Sequence, residues 1–191
     1  MIQLFTKRLF IRDHIIDDLE KYHELFSNDR SMRYLEFLKT SNLEESKQSL
    51  QKAIDETNSN NRKYYFFWIE NKETKEYIGE VGYNVILDTP YGKMATLGYY
   101  IKEEHWNKGY ATEATKRILK YAFDENNVYR FIGECIKENI GSEKIMIKCG
   151  MTKEGEYKEY ALNENKLKDG VQYRLLKYEW EKNCEKCKTC T

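Results

Sequence analysis

The stretch HWNKGYATEATKR, residues 105–117, decides the fold. A single glycine, Gly109, separates a short polar run from a clean helical pattern. Beyond it, Ala114, Ile118, Leu119, Ala122 and Phe123 recur at i, i+4, i+5, i+8 and i+9, which is one apolar face of an amphipathic helix over roughly 110–125. Before it, TLGYYI (96–101) reads as a strand of apolar and aromatic residues. The chain therefore goes strand, short loop, helix, with glycine at the helix mouth. That arrangement offers free backbone N–H groups to something negative, and a phosphate is the usual candidate.

Working outward, MIQLFTKRLFIRD alternates apolar and polar residues and reads as a first strand with no signal-peptide core. DHIIDDLEKYHELFSND (13–29) carries Ile16, Leu19, Tyr22, His23 and Phe26 at helical spacing. SNLEESKQSLQKAIDE (41–56) opens with Ser41 three residues before Glu44, the pattern of a capping box, and predicts a second helix. KYYFFWIEN (63–71), EYIGEVGYNVIL (76–87) and KMATLGYYIKEE (93–104) follow as three strands. NKETK joins the first pair, and the turn around Pro90, the only proline, joins the second. After the helix of the opening come a strand at 129–137, a short helix in NIGSEKIMIKCG (139–150) ending at Gly150, and two closing strands, MTKEGEYKEYAL and VQYRLLKYEWEK. The expectation is an α/β fold of the α+β kind. It has a mixed, mostly antiparallel central sheet of about seven strands flanked by four helices.

Composition narrows the function. Lys plus Arg and Asp plus Glu are both 32 in 191 residues, so the formal charge is zero, which argues against a nucleic-acid partner. No apolar run approaches the ~18 residues of a membrane span, and the protein reads as cytoplasmic. Residues 1–183 read as a single domain, and 184–191 as an unstructured tail. That tail holds Cys184, Cys187 and Cys190, too few ligands for a closed zinc site, so no metal is expected. Cys135 and Cys149 sit in apolar patterns and read as buried thiols.

The familiar phosphate motifs G-x-x-x-x-G-K-[ST] and G-x-G-x-x-G are absent, as is H-E-x-x-H. What remains is WNKGYA (106–111) at a strand-to-helix junction and, thirty residues on, ENIGSEKIMIKCGM. With these motifs in order, the sequence resembles the GNAT superfamily of acetyl-CoA-dependent N-acetyltransferases, in its ribosomal-protein-acetyltransferase-like branch. LFTKRLFIRD (4–13) resembles that branch's opening strand, and IGEVGY (78–83) with LGYYI (97–101) its central hairpin. WNKGYATEA (106–114) is similar to its pyrophosphate loop, with Trp106 in the first position, and Asn139 with Ser142, then KCGM at 148–151, to its fourth-helix motif. The likeness spans about residues 3–181.

The resemblance implies that Trp106, Asn107, Lys108, Gly109, Tyr110, Ala111 and Thr112 wrap the pyrophosphate. It implies a splayed strand pair holding the pantetheine arm, which pairs with the main chain of Tyr100, Ile101 and Lys102, with Asn139 capping the fourth helix and touching the arm. The implied reaction is direct attack of a primary amine on the thioester, with Ser142 protonating the departing thiolate. The family's alternative acid, a tyrosine, is replaced here by Met146. Many relatives place a basic glutamate where this chain has Thr96; Glu80 on the neighbouring strand is the nearest replacement. The acceptor is a protein or peptide N-terminus or a small-molecule amine, with Tyr22, Tyr34, Phe37 and Tyr157 as candidate lining, and the protein is a monomer or homodimer. The alternatives are a polyamine or antibiotic acetyltransferase, a CoA-binding module without catalysis, and a single-stranded nucleic-acid binder stacking bases on YYFFW (64–68).

Overall fold

The computed structural model describes residues 1–188, and side chains through 183. Eight strands are ordered β1-β2-β3-β4-β5-β6-β8-β7. They are β1 (Gln3–Phe5), β2 (Leu9–Arg12), β3 (Tyr64–Asn71), β4 (Tyr77–Thr89), β5 (Gly92–Ile101), β6 (Val128–Ile136), β7 (Thr152–Asn163) and β8 (Lys166–Leu176). Five α-helices intervene: α1 (Leu19–Phe26), α2 (Leu43–Thr57), α3 (Tyr110–Glu125), α4 (Ile140–Lys148) and α5 (Lys177–Lys188). The mixed, mostly antiparallel sheet is as expected, with one strand and one helix more. The extra strand arises because the opening strand folds on itself. Thr6 N–H bonds Leu9 C=O at 3.0 Å and Leu9 N–H bonds Thr6 Oγ1 at 2.8 Å, a turn that makes β1 and β2 a hairpin. The extra helix replaces the end of the last expected strand, since β8 stops at Leu176 and Glu179 caps α5 by accepting from Leu176 N–H at 3.0 Å. Helical backbone thus runs into the stretch read as a tail, while the side chains of Cys184 and Cys187, and Cys190 altogether, lie outside the described residues.

The chain forms two compact units, Met1–Asn84 with Gly98–Ile118, and Val85–Leu97 with Leu119 onward. In the first, β3 is buried on both faces, so it reads as a continuous aromatic run. Tyr65 stacks on Tyr83 at 4.8 Å on one side, while Phe66 and Trp68 on the other stack on Tyr100 at 5.5 Å and Tyr77 at 3.8 Å. These rings are core, so the YYFFW stretch offers no stacking platform for bases. Helices α1 and α2 cover the Trp68 side with Tyr22, Leu25, Phe26 and Leu50. Burying each contributes roughly 1.5–3 kcal/mol. His23 Nδ1 meets Ser46 Oγ at 2.8 Å across the helix pair, a packing role. The start of α2 lies one residue later than the Ser41–Glu44 pattern implies: Asn42 accepts from Glu45 N–H, and Glu45 accepts from Ser41 N–H at 2.7 Å.

One irregularity positions the site. The β3–β4 register runs Ile69↔Gly79 and then Glu70↔Tyr77, so Ile78 is an extra residue. In an unbroken strand, residues 77 and 80 would point to opposite faces; the bulge turns Tyr77 and Glu80 to the same face as Trp68. Only glycine fits at position 79, where φ is +144° and a Cβ would lie 2.1 Å from Tyr100 C=O.

In the second unit, β5 pairs parallel with β6 from Lys93 to Thr96, and β6 pairs antiparallel with β8. Phe123 meets Phe131 edge-on at 5.3 Å, and Met146 and Met151 pack onto Gly133. Helix α4 ends at Cys149 and Gly150, the latter at φ +82°.

Candidate functional site

Two groups of residues in the first unit bring polar and charged atoms together. The first is the helix mouth. Asn107 and Gly109 have φ of +60° and +81°, so the backbone reverses tightly before α3 begins at Tyr110. The first helical bond runs from Glu113 N–H to Gly109 C=O at 3.1 Å. The N–H groups of Tyr110, Ala111 and Thr112 come before it and have no intrahelical acceptor. A Cβ on Gly109 would meet a single atom, Arg8 Nη2 at 3.4 Å, so the glycine's open side is bordered by a cation. Three unclaimed donors, a helix N-terminus and a guanidinium fit the pyrophosphate of a CoA ester.

Arg8 was not legible in the sequence as part of this loop. Its Nη1 donates to Lys108 C=O at 2.9 Å, its Nε to Glu113 at 2.7 Å, and its guanidinium lies 4.4 Å from the centre of the Tyr110 ring. Glu113 also accepts from Thr6 Oγ1 at 2.6 Å and Arg8 N–H at 2.9 Å. Burial raises the Glu113 carboxyl, but the Thr6 hydroxyl, the Arg8 amide and the guanidinium outweigh it and hold it below the usual range. Trp106 closes the loop by donating its indole N–H to Ile101 C=O at 2.7 Å. That bond occupies one lone pair of a carbonyl expected to face the pantetheine arm. The Lys102 amide bonds Ile78 C=O at 3.0 Å, while the Lys102 ammonium sits between Glu104 and Glu24.

The second group surrounds Glu80, which is 1% exposed. Its Oε1 accepts from Tyr77 Oη at 3.3 Å and lies 3.3 Å from His14 Nε2. The other face of that ring, Nδ1, lies 3.6 Å from Asp18 Oδ2. Both are ion-pair approaches, and neither ring nitrogen makes a well-aligned hydrogen bond. Asp18 is gripped by Arg12 through two contacts, 2.8 and 2.6 Å, and accepts from Ile15 N–H at 2.9 Å. Burial alone works to discharge His14; the Glu80 and Asp18 carboxylates outweigh it and raise the imidazole to about 9. Burial, with the Glu80 charge among the further causes, pushes the phenols of Tyr22, Tyr64, Tyr77 and Tyr100 upward. Glu80 is therefore enclosed in an aromatic shell, beside the Tyr100 backbone that presses on Gly79. His14 is the second residue the sequence did not reveal; its only signal is its i, i+4 spacing to Asp18.

In the second unit, Asn139 caps α4 by accepting from Ser142 N–H at 3.1 Å. The Ser142 hydroxyl bonds the Cys135 thiol, which burial nevertheless pushes up to about 11. Thr96 lies half-buried opposite Ile132. Of the expected acceptor lining, Tyr22 is buried, whereas Phe37 is exposed. Among the described residues no helix is long and apolar enough to cross a membrane.

A glycine-opened helix mouth at the end of a mixed sheet, with a carboxylate on the strand beside it, is an arrangement that suits a coenzyme-A-dependent acyltransferase. Residues 8–152 match the acetyltransferase (GNAT) domain, and the chain belongs to that family. It is 30% identical over 183 residues to a Bacillus licheniformis protein named uncharacterized N-acetyltransferase p20, covering 94% of this chain and 99% of that one. Its fold is shared with ribosomal-protein-S5-alanine acetyltransferase from Vibrio fischeri, with TM-score 0.80, 21% identity, and coverage of 94% and 99%. It is shared equally with spermidine N-acetyltransferase from Vibrio cholerae in complex with CoA and spermine, with TM-score 0.80, 23% identity, and coverage of 92% and 99%. The protein is thus an acetyl-CoA-dependent N-acetyltransferase.

Proposed function

We propose that this enzyme acetylates a single, weakly basic primary amine, of the kind found at a peptide N-terminus. Acetyl-CoA supplies the thioester whose carbonyl carbon the amine attacks, with the C–S bond breaking. The N–H groups of Tyr110, Ala111 and Thr112, steered by Arg8 and Gly109, bind the pyrophosphate. The backbone of Tyr100 and Ile101 aligns the arm, with Asn139 as a further contact, whereas the Lys102 main chain is occupied by Ile78 C=O and His105 N–H and drops out of that role. Glu80 receives the proton that the amine loses, and Ser142 gives a proton to the leaving sulfur.

The observation that carries the acceptor class is the Glu80 cluster, whose carboxylate is already matched by His14. An α-amine of pKa about 7.7 costs roughly 1 kcal/mol to hold neutral at pH 7, and an alkyl amine near 10.4 about 4.6 kcal/mol. A carboxylate so matched manages the first more readily. The experiment is an acetyl-transfer screen against N-terminal peptides, polyamines, amino acids and aminoglycosides, read as released thiol. Turnover confined to polyamines or aminoglycosides refutes the acceptor class. Absence of thiol release with every acceptor in the panel, despite CoA binding, favours the non-catalytic module, for which Thr96 and Met146 speak.

A further inference from the structure

Arg12 from β2, His14 before α1, Asp18 from the turn leading into α1, and Glu80 from β4 make one buried row of alternating charge, bordered by Tyr77 of β4 and Tyr22 of α1. His14 and Glu80 are 2% and 1% exposed. Arg12 answers Asp18. If His14 did not answer Glu80, the row would hold an unmatched carboxylate out of water, an arrangement that folding strongly disfavours. His14 does no packing work that an apolar side chain of its size could not do, and its ring nitrogens touch only the two acids. Its consequence is electrostatic. A bare Glu80 would present a net negative field to whatever amine approaches it, and that field attracts a molecule in proportion to its positive charges. With His14 in place the formal charges of the row, Arg12 and His14 against Asp18 and Glu80, sum to zero.

We propose that His14 is a specificity-determining residue that cancels the Glu80 charge and so disfavours polycationic acceptors relative to acceptors with one amine. This rests on the reading that Glu80 faces the acceptor. It makes the exclusion of polyamines a property of one side chain outside the cofactor loop.

The test is a titration of CoA-loaded protein, at pH 7, with a linear triamine and with a tripeptide bearing a free N-terminus. It compares the wild type with Glu80→Gln, His14→Gln and the double variant, each first confirmed to be folded by its CoA-dependent melting shift. The quantity read is the ratio of the two dissociation constants. Glu80→Gln leaves His14 unmatched and should disfavour the triamine by about tenfold, a conservative value for one charge at short range. The double variant should restore the wild-type ratio, and His14→Gln alone should favour the triamine by about tenfold. An imidazole NMR titration of Glu80→Gln reads whether Asp18 alone keeps His14 charged at pH 7: where it does, the comparison within the Glu80→Gln background decides, and where it does not, the comparison of His14→Gln with the double variant decides. Equal ratios with and without His14 in the comparison that applies overturn the proposal, as does a double variant that binds no triamine. If Glu80→Gln binds both amines as the wild type does and turns over at full rate, the reading of Glu80 falls instead.

Discussion

Two glycines of the first unit separate folding from cofactor binding. At Gly79 a Cβ would fall 2.1 Å from Tyr100 C=O, so Gly79→Ala must move β4 off β5. At Gly109 the nearest atom is the tip of Arg8, a flexible side chain at 3.4 Å, and the penalty of Gly109→Ala is the φ of +81° alone. A left-handed backbone costs a non-glycine residue roughly 1–2 kcal/mol. For a chain of this size each kcal/mol lowers the melting temperature by about 2–4 °C, so the unliganded variant should melt about 2–8 °C below the wild type. The methyl group also enters the open side of the loop. CoA at a hundredfold excess over Kd stabilises the wild type by about 2.7 kcal/mol; a hundredfold weaker Kd reduces that to about 0.4 kcal/mol at the same concentration. The assay is a melting scan with and without CoA. A Gly109→Ala protein that melts early yet keeps the full CoA shift refutes the loop assignment. One that unfolds outright refutes the claim that Cβ has room.

Ser142→Ala should lower kcat by roughly tenfold to a hundredfold with the CoA Kd nearly unchanged, since acid help to an already fair leaving group lies at the low end of such effects; weakened CoA binding at full kcat would make Ser142 a cofactor contact. Arg8→Met should raise the CoA Kd with little loss of kcat, because Arg8 ties Lys108 and Glu113 to the loop and touches no reacting group; calorimetry checks it. The His14 pKa is raised from 6.5 to about 9, so its stabilisation is fully present below 6.5 and is lost as pH rises through about 9. That loss should be on the order of 3 kcal/mol in denaturant titrations between pH 7 and 10, and His14→Gln should flatten it.

Most of the fold was legible because periodicity reports local burial. The α3 face at Ala114, Ile118, Leu119, Ala122 and Phe123 is wholly buried, and the helix occupies the expected range. What misled the reading were ends and turns. The Thr6 hydroxyl competes with strand pairing by bonding Leu9 N–H, and no apolar pattern records that. At the last strand, YRLLKYEW keeps a strand-like mixture of residues through Trp180. The switch to α5 depends on one carboxylate, Glu179, accepting from Leu176 N–H and pairing with Arg174.

The site divides along the same line. The helix mouth is a local object, made by residues adjacent in sequence, and its glycine announces it. Glu80 was found because it is a carboxylate on the right strand, but its meaning is not local. Whether it is exposed or buried, bare or matched, depends on a histidine sixty-six positions away, brought within 3.3 Å by the pairing of β2, β3 and β4. In the sequence, Arg12, Asp13, His14, Asp17 and Asp18 are a run of charges like any solvated turn. The fold sorts them: Arg12, His14 and Asp18 join the buried row, Asp13 pairs with Arg62 at 2.7 Å, and the Asp17 side is left to solvent. A bulge at a glycine, which costs ladder pairing but buries its extra residue Ile78 completely, aims Tyr77 and Glu80 at the same point of that row. The bulge that interrupts the ladder also seats Tyr77 on Trp68 and buries Ile78, so the matched charges are gathered at a point that apolar packing holds in place.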